Sequence, residues 1–96
     1  MNVTPTLASA NAYHRCTNAS AVTVTIPPNS GVAFSLKTEL HFRQSGNGKV
    51  SIAAGSGVTL NGIDGYNNSS GSKGGVVTAK KVGTDEWDLF GFLEPV

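Results

Sequence analysis

His14 and Cys16 stand two residues apart in the string YHRCTN, where a base and a thiol come close in this chain. On a β-strand that spacing puts both side chains on one face. A thiol beside an imidazole is the raw material of a cysteine nucleophile, but the chemistry also needs an oriented base and an oxyanion pocket. The sequence offers neither. The flanks alternate polar and apolar residues, so Cys16 reads as a half-buried strand residue. As the single cysteine it leaves no internal disulfide and no cysteine-based zinc site.

The other candidates for chemistry weaken in the same way. His41, the second histidine, has no partner at H-x-x-x-H spacing, and both histidines read as outward-facing strand residues. The string TDEWD (84–88) gathers Asp85, Glu86 and Asp88. It lacks the spaced oxygen ligands of a calcium loop and reads as a polar hairpin turn. No serine lies in a G-x-S-x-G elbow. Four strings, at 2–4, 18–20, 67–69 and 68–70, match the glycosylation acceptor pattern. Met1 is not followed by a basic and then apolar run, so no secretory leader is expected, and these strings read as products of an Asn/Ser/Thr-rich surface. The expectation is a protein with no catalytic residues, no metal and no cofactor.

Residues 45–62, SGNGKVSIAAGSGVTLNG, say the same thing twice: a Gly-x-Gly, then a short alternating apolar run. A phosphate cradle would need G-x-G-x-x-G between a strand and a helix. No third glycine falls at that spacing and no helical period follows. The phrase reads as two turn-and-strand units, with glycine supplying the positive φ of tight turns.

The elements that must position these residues are strands. VTVTI leads into Pro27-Pro28, where the missing N–H stops a ladder. Further alternating runs fall at 32–36, 39–44, 49–54, 57–63, 75–82 and 86–93, the spacing of a sandwich or barrel. The expected fold is all-β, a small antiparallel β-sandwich or barrel built as a β-meander of seven or eight short strands. The expected core holds Val22, Val24, Ile26, Phe34, Leu40, Phe42, Ile52, Leu60, Trp87 and Leu89. TLASANAY (6–13) is too short and too rich in Ser, Asn and Thr for a helix, and 1–12 reads as an extended N-terminal arm.

With 96 residues the chain forms a single domain. Charged residues make up 14%, against about 25% in an ordinary soluble domain, and net charge is +1. So sparse a charge suits a surface partly covered by a partner. It does not suit a nucleic-acid binder, which would carry a basic patch. No run approaches the roughly 20 apolar residues of a membrane span.

Two regions suggest contact with other molecules. The Asn/Ser/Gly-rich stretch DGYNNSSGSKGG (64–75) reads as an exposed loop, with Tyr66, Asn67 and Asn68 placed to meet a ligand such as a sugar ring or a partner surface. The run WDLFGFLEPV (87–96) packs six large apolar side chains into ten residues. If Trp87 and Leu89 face the core, alternation sends Phe90 and Phe92 to the opposite face. Phe90 and Phe92, with Leu93 beside them, are the expected interface, and the expectation is a homo-oligomer or a contact with another protein.

The strings AVTVTIPPNSGVAF (21–34), ELHFRQSGNGKVSIAAGSGVTLNG (39–62) and KKVGTDEWDLFGFLE (80–94) resemble a small β-domain of structural proteins of tailed bacteriophages. That domain stands alone as a small virion protein or forms a module near the ends of tail-fibre and tail-spike chains. The resemblance covers about Asn18 to Glu94. Where the family often ends in DLFGDL, this chain has Phe92, one polar position turned apolar. The resemblance implies a non-enzymatic virion component made in the host cytoplasm, a capsid decoration protein or a small fibre or tail subunit. It implies other virion proteins, major capsid or tail, as partners, a homotrimer as the favoured assembly, and a glycan-binding fibre module as the alternative.

Overall fold

A computed structural model describes residues 1–96 as ten strands and one short 3₁₀ turn. The strands are β1 (Asn2–Val3), β2 (Tyr13–Cys16), β3 (Val22–Ile26), β4 (Glu39–Gln44) and β5 (Val50–Ala54). After them come β6 (Thr59–Asn61), β7 (Tyr66–Ser70), β8 (Val76–Gly83), β9 (Glu86–Gly91) and β10 (Leu93–Pro95). The TLASANAY stretch makes only the 3₁₀ turn Leu7–Ser9, and the N-terminal arm is tied down where β1 pairs with β3.

Two five-stranded sheets pack face to face. Sheet 1 has the order β1-β3-β5-β7-β10 and sheet 2 the order β2-β4-β8-β9-β6. The all-β sandwich is as expected, but its winding is not a meander, and the sheets are mixed rather than antiparallel. From β1 to β8 each strand lies in the sheet opposite its predecessor. In the first half of the chain next-but-one strands thus meet in parallel: Asn2 sits beside Thr23, Val22 beside Val50, and Tyr13 beside His41, whereas β5 and β7 run antiparallel. Only β8 and β9 are joined as a hairpin within one sheet.

The glycine phrase acquires a different explanation in this winding. Successive coils stack their corners, and the glycines sit where two backbones touch. A Cβ on Gly48 would lie 2.0 Å from the Ser20 carbonyl oxygen, and one on Gly55 would lie 2.5 Å from that of Ile26. Of the four glycines in the phrase's two Gly-x-Gly units, only Gly57 has a positive φ. Close approach, more than turn conformation, demands the others.

Alternation within the strands builds the core. Val22, Val24 and Ile26 of β3 and Val50 and Ile52 of β5 face Leu40, Phe42, Val77, Ala79, Trp87 and Leu89 of sheet 2. Leu60, expected in the core, is only half-buried, whereas Leu93 joins it.

Two stretches depart from expectation. Residues 32–36 alternate like a strand but form none. Val32 N–H bonds the Pro28 carbonyl, Phe34 N–H bonds that of Val32, and Lys37 takes a positive φ of 72°. This crossover from sheet 1 to sheet 2 buries Phe34 as a plug and leaves Leu36 exposed. Conversely, the expected loop 64–75 contains β7, set between β5 and β10. Its residues are polar, but sheet partners satisfy them: Ser69 Oγ lies 2.9 Å from Ser51 Oγ, and Ser70 is fully buried. Tertiary context overrides the loop-like composition.

Candidate functional site

The C-terminal aromatics are placed by one glycine. Gly91 ends β9 with φ 123°, and a Cβ there would meet the Val76 carbonyl oxygen at 2.3 Å. Strand β9 stops at this residue as the chain passes from sheet 2 to sheet 1. Phe90 stays on the outer face of sheet 2, opposite Thr78. Phe92 lies at the crossover, its N–H bonded to the Val76 carbonyl and its own carbonyl accepting from Gly71. The two phenylalanines therefore do not share a sheet face. Leu93, expected at the interface, is 3% exposed and packs in the core. It is the first residue of β10, and it keeps the odd-numbered inward phase of Trp87 and Leu89, so alternation itself places it inside.

Phe92 rests on glycine. A Cβ built on Gly75 would lie 2.6 Å from the Phe92 ring, and one on Gly71 would lie 3.4 Å from it. Across this floor stands Tyr66, the first residue of β7, paired with Pro95 of β10. Tyr66, Phe92, Ile63 and Pro95, with Gly71, Gly91 and Leu93, line a groove of about 490 Å³. Tyr66 is 45% exposed and Phe92 57%. The structure thus brings together two residues that the sequence placed in separate sites. Ile63 and Pro95 were not among the sequence candidates. Pro95 has a sequence signal, since a proline that cannot donate blunts an edge strand.

The other two residues of the expected ligand trio are occupied. Asn67 donates from Nδ2 to Glu94 Oε1 at 3.1 Å, beside the Lys49–Glu94 ion pair. The hydrogen bond from Lys49, then that from Asn67, hold the Glu94 carboxyl below the ordinary carboxylate range. Asn68 is half-buried against Gly62, where a Cβ would meet its Oδ1 at 2.4 Å. The groove itself is apolar, with this polar cluster on the adjacent outer face of sheet 1.

His14 and Cys16 line a smaller cleft at the opposite flank, with Val3, Val24 and Phe42. His14 does not face outward as expected. Its ring stacks on Phe42 at 5.0 Å, and Nε2 lies 3.3 Å from the Ser9 carbonyl oxygen. Cys16 is half-buried as expected, and burial raises its thiol above the usual range. A nucleophile needs the opposite shift. His41 does face outward, with Nδ1 2.9 Å from Thr78 Oγ1 and Nε2 3.3 Å from Glu39 Oε1. No three His, Cys, Asp or Glu side chains gather closely enough to hold a metal ion.

No family model, no curated protein and no solved structure matches this chain.

Proposed function

We propose that this chain is a non-enzymatic structural subunit of a bacteriophage virion that assembles through the Tyr66–Phe92 groove. The occupant is the matching surface of a second copy, with a homotrimer as the favoured assembly. The observation that carries the reading is the pair of exposed aromatic side chains, held over a glycine floor on a domain only 14% charged. Apolar area in a groove of this kind marks a contact surface. Pro95 in the edge strand β10 directs that contact through side chains rather than through added strand pairing. Phage membership rests on the sequence resemblance, as does the choice among capsid decoration, fibre and tail subunit.

A second reading uses the same groove for a host-surface glycan, with Tyr66 as the stacking ring, and the groove falls within the size range of small-ligand sites. Sedimentation of wild type and Phe92→Ser across a concentration series separates the two. Assembly in wild type that is lost in Phe92→Ser, with the β spectrum retained, supports the subunit reading. A wild-type monomer at high concentration that also fails to bind capsids or tails overturns it. Binding of that monomer to a glycan panel, abolished by Tyr66→Ala, would favour the second reading.

A further inference from the structure

Lys81 is a buried ammonium with no carboxylate beside it. It follows Val77 and Ala79 on the inward face of β8 and is 3% exposed. Its neighbour Lys80 faces outward and pairs with Glu39 at 3.5 Å, whereas Lys81 meets no acidic side chain at ion-pair distance. Its Nζ donates instead to the Phe34 carbonyl at 2.6 Å and to Asn29 Oδ1 at 2.7 Å. Burying a charge without a countercharge is costly. A reaction that removes this charge while keeping the contact would relieve that cost.

We propose that Lys81 and Asn29 form an intramolecular isopeptide bond, with Asp85 holding Asn29 in place. Nζ is already on the side-chain amide it would attack, and both groups are held from two sides. Lys81 is fixed by backbone pairing, its N–H bonded to the Thr38 carbonyl and its carbonyl accepting from Lys37. Asn29 sits in the turn closed by the bonds of Gly31 and Val32 to Pro28, and its own N–H donates to Asp85 Oδ1 at 2.7 Å. Such immobilised juxtaposition is the main requirement of an uncatalysed acyl transfer. Phe34 and Trp87, edge to face at 5.6 Å, cover the inner side. Asn29 and Asp85 remain half-exposed, which leaves ammonia a way out.

The step balances without any added reagent. The Lys81 ammonium passes a proton to Asn29 Oδ1, the acceptor it already holds at 2.7 Å, and the freed Nζ pair forms a bond to Asn29 Cγ. The Cγ–Nδ2 bond then breaks, and Nδ2 leaves with its electron pair, collecting protons from Nζ and from the Oδ1 hydroxyl as the carbonyl re-forms. The net change is one ammonium ion lost and one secondary amide gained. The product ties the crossover after β3 of sheet 1 to β8 of sheet 2, and a link between such distant residues would restrict the unfolded chain.

Intact mass of the purified wild-type protein is the test. The expected value is the sequence mass less one ammonia, with a protease fragment joining the peptides of Asn29 and Lys81. A succinimide at Asn47-Gly48 or Asn61-Gly62 would also shed ammonia, so Lys81→Met is measured in parallel. The deficit must vanish in that variant. Wild type at full sequence mass overturns the proposal, as does a deficit that persists in Lys81→Met. The joined fragment from wild type decides the matter on its own if the variant does not fold.

Discussion

At the end of the sandwich beneath the groove, Ser70 of β7 and Gln44 of β4 meet between the sheets. At the other end, Lys81 of β8 reaches Asn29 and the Phe34 carbonyl. The first plug is neutral. Ser70 Oγ donates to Gln44 Oε1 at 2.6 Å and accepts from Val50 N–H at 3.0 Å, while Gln44 Nε2 donates to the Gly46 carbonyl at 3.2 Å. Side chains satisfy most of it, so short glycine-rich corners suffice there and the surface above stays open for Phe92 and Tyr66. The second plug is an ammonium that needs several acceptors. A backbone carbonyl and a turn residue supply them, and both come from the long crossover between β3 and β4 that folds over that end. The chemistry of the plug and the shape of the surface above it go together: a self-satisfied pair leaves a groove, and a charged donor draws a cover over itself.

The largest expected effect breaks the covered end. Trp87 is the register partner of Lys81 and packs edge to face on Phe34. Trp87→Ala should cost about 3–5 kcal/mol. In a domain of marginal stability that suffices to unfold it, and a denaturant titration followed by circular dichroism will show whether any two-state transition survives.

Ser70→Ala attacks the neutral plug at the other end. It strands the buried Val50 N–H and deprives Gln44 of a partner, an expected loss of about 1–3 kcal/mol by denaturant midpoint. A loss as large as that of Trp87→Ala would contradict the view that this end is the lighter closure.

An effect of similar size sharpens the account of the groove floor. Gly75→Ala places a methyl against the Phe92 ring and should destabilise by about 1–3 kcal/mol. In Phe92→Ala the same change should cost less, because the ring is gone; the carbonyl of Ser72, 3.1 Å from the added Cβ, keeps the rescue partial. A double-mutant cycle measures the difference, and strict additivity would show that Phe92 does not rest on Gly75.

The smallest effect is electrostatic. Glu94 has its folded pKa lowered, so its contribution is fully present above the unfolded value, about 4.3. That contribution is lost as pH falls through the still lower folded value. Wild type should lose its melting-temperature advantage over Glu94→Gln on acidification through this range. The difference should be small at neutral pH and should shrink with added salt, because the pair lies at the surface.

Much of the fold was legible in the chain. Period-two alternation in 22–26, 39–44 and 50–54 located strands and their inward residues, since a half-buried strand has no other way to hide its apolar side chains. The same alternation in 76–82 put Lys81 on the inward face with Val77 and Ala79, a signal available in the sequence and overlooked. Phe92 and Tyr66 were each legible as aromatics in polar or crowded surroundings, but their meeting was not. It depends on Gly91 carrying the chain from one sheet to the other, and on a strand, β7, whose Tyr-Asn-Asn-Ser-Ser composition carries no strand signal of its own.

By itself the sequence determined the all-β class, most of the core and the shortage of charge, because each follows from local periodicity or composition. Which strands pair, and in which direction, it left open. Parallel stacking of next-but-one strands depends on corners many residues apart touching through Gly46, Gly48 and Gly55, and no local pattern encodes the partner of a corner. The same holds at the two ends: a serine, a glutamine and a lysine are ordinary residues on a line of text. They become plugs only when the sheets close over them and remove the water that would otherwise satisfy their polar groups.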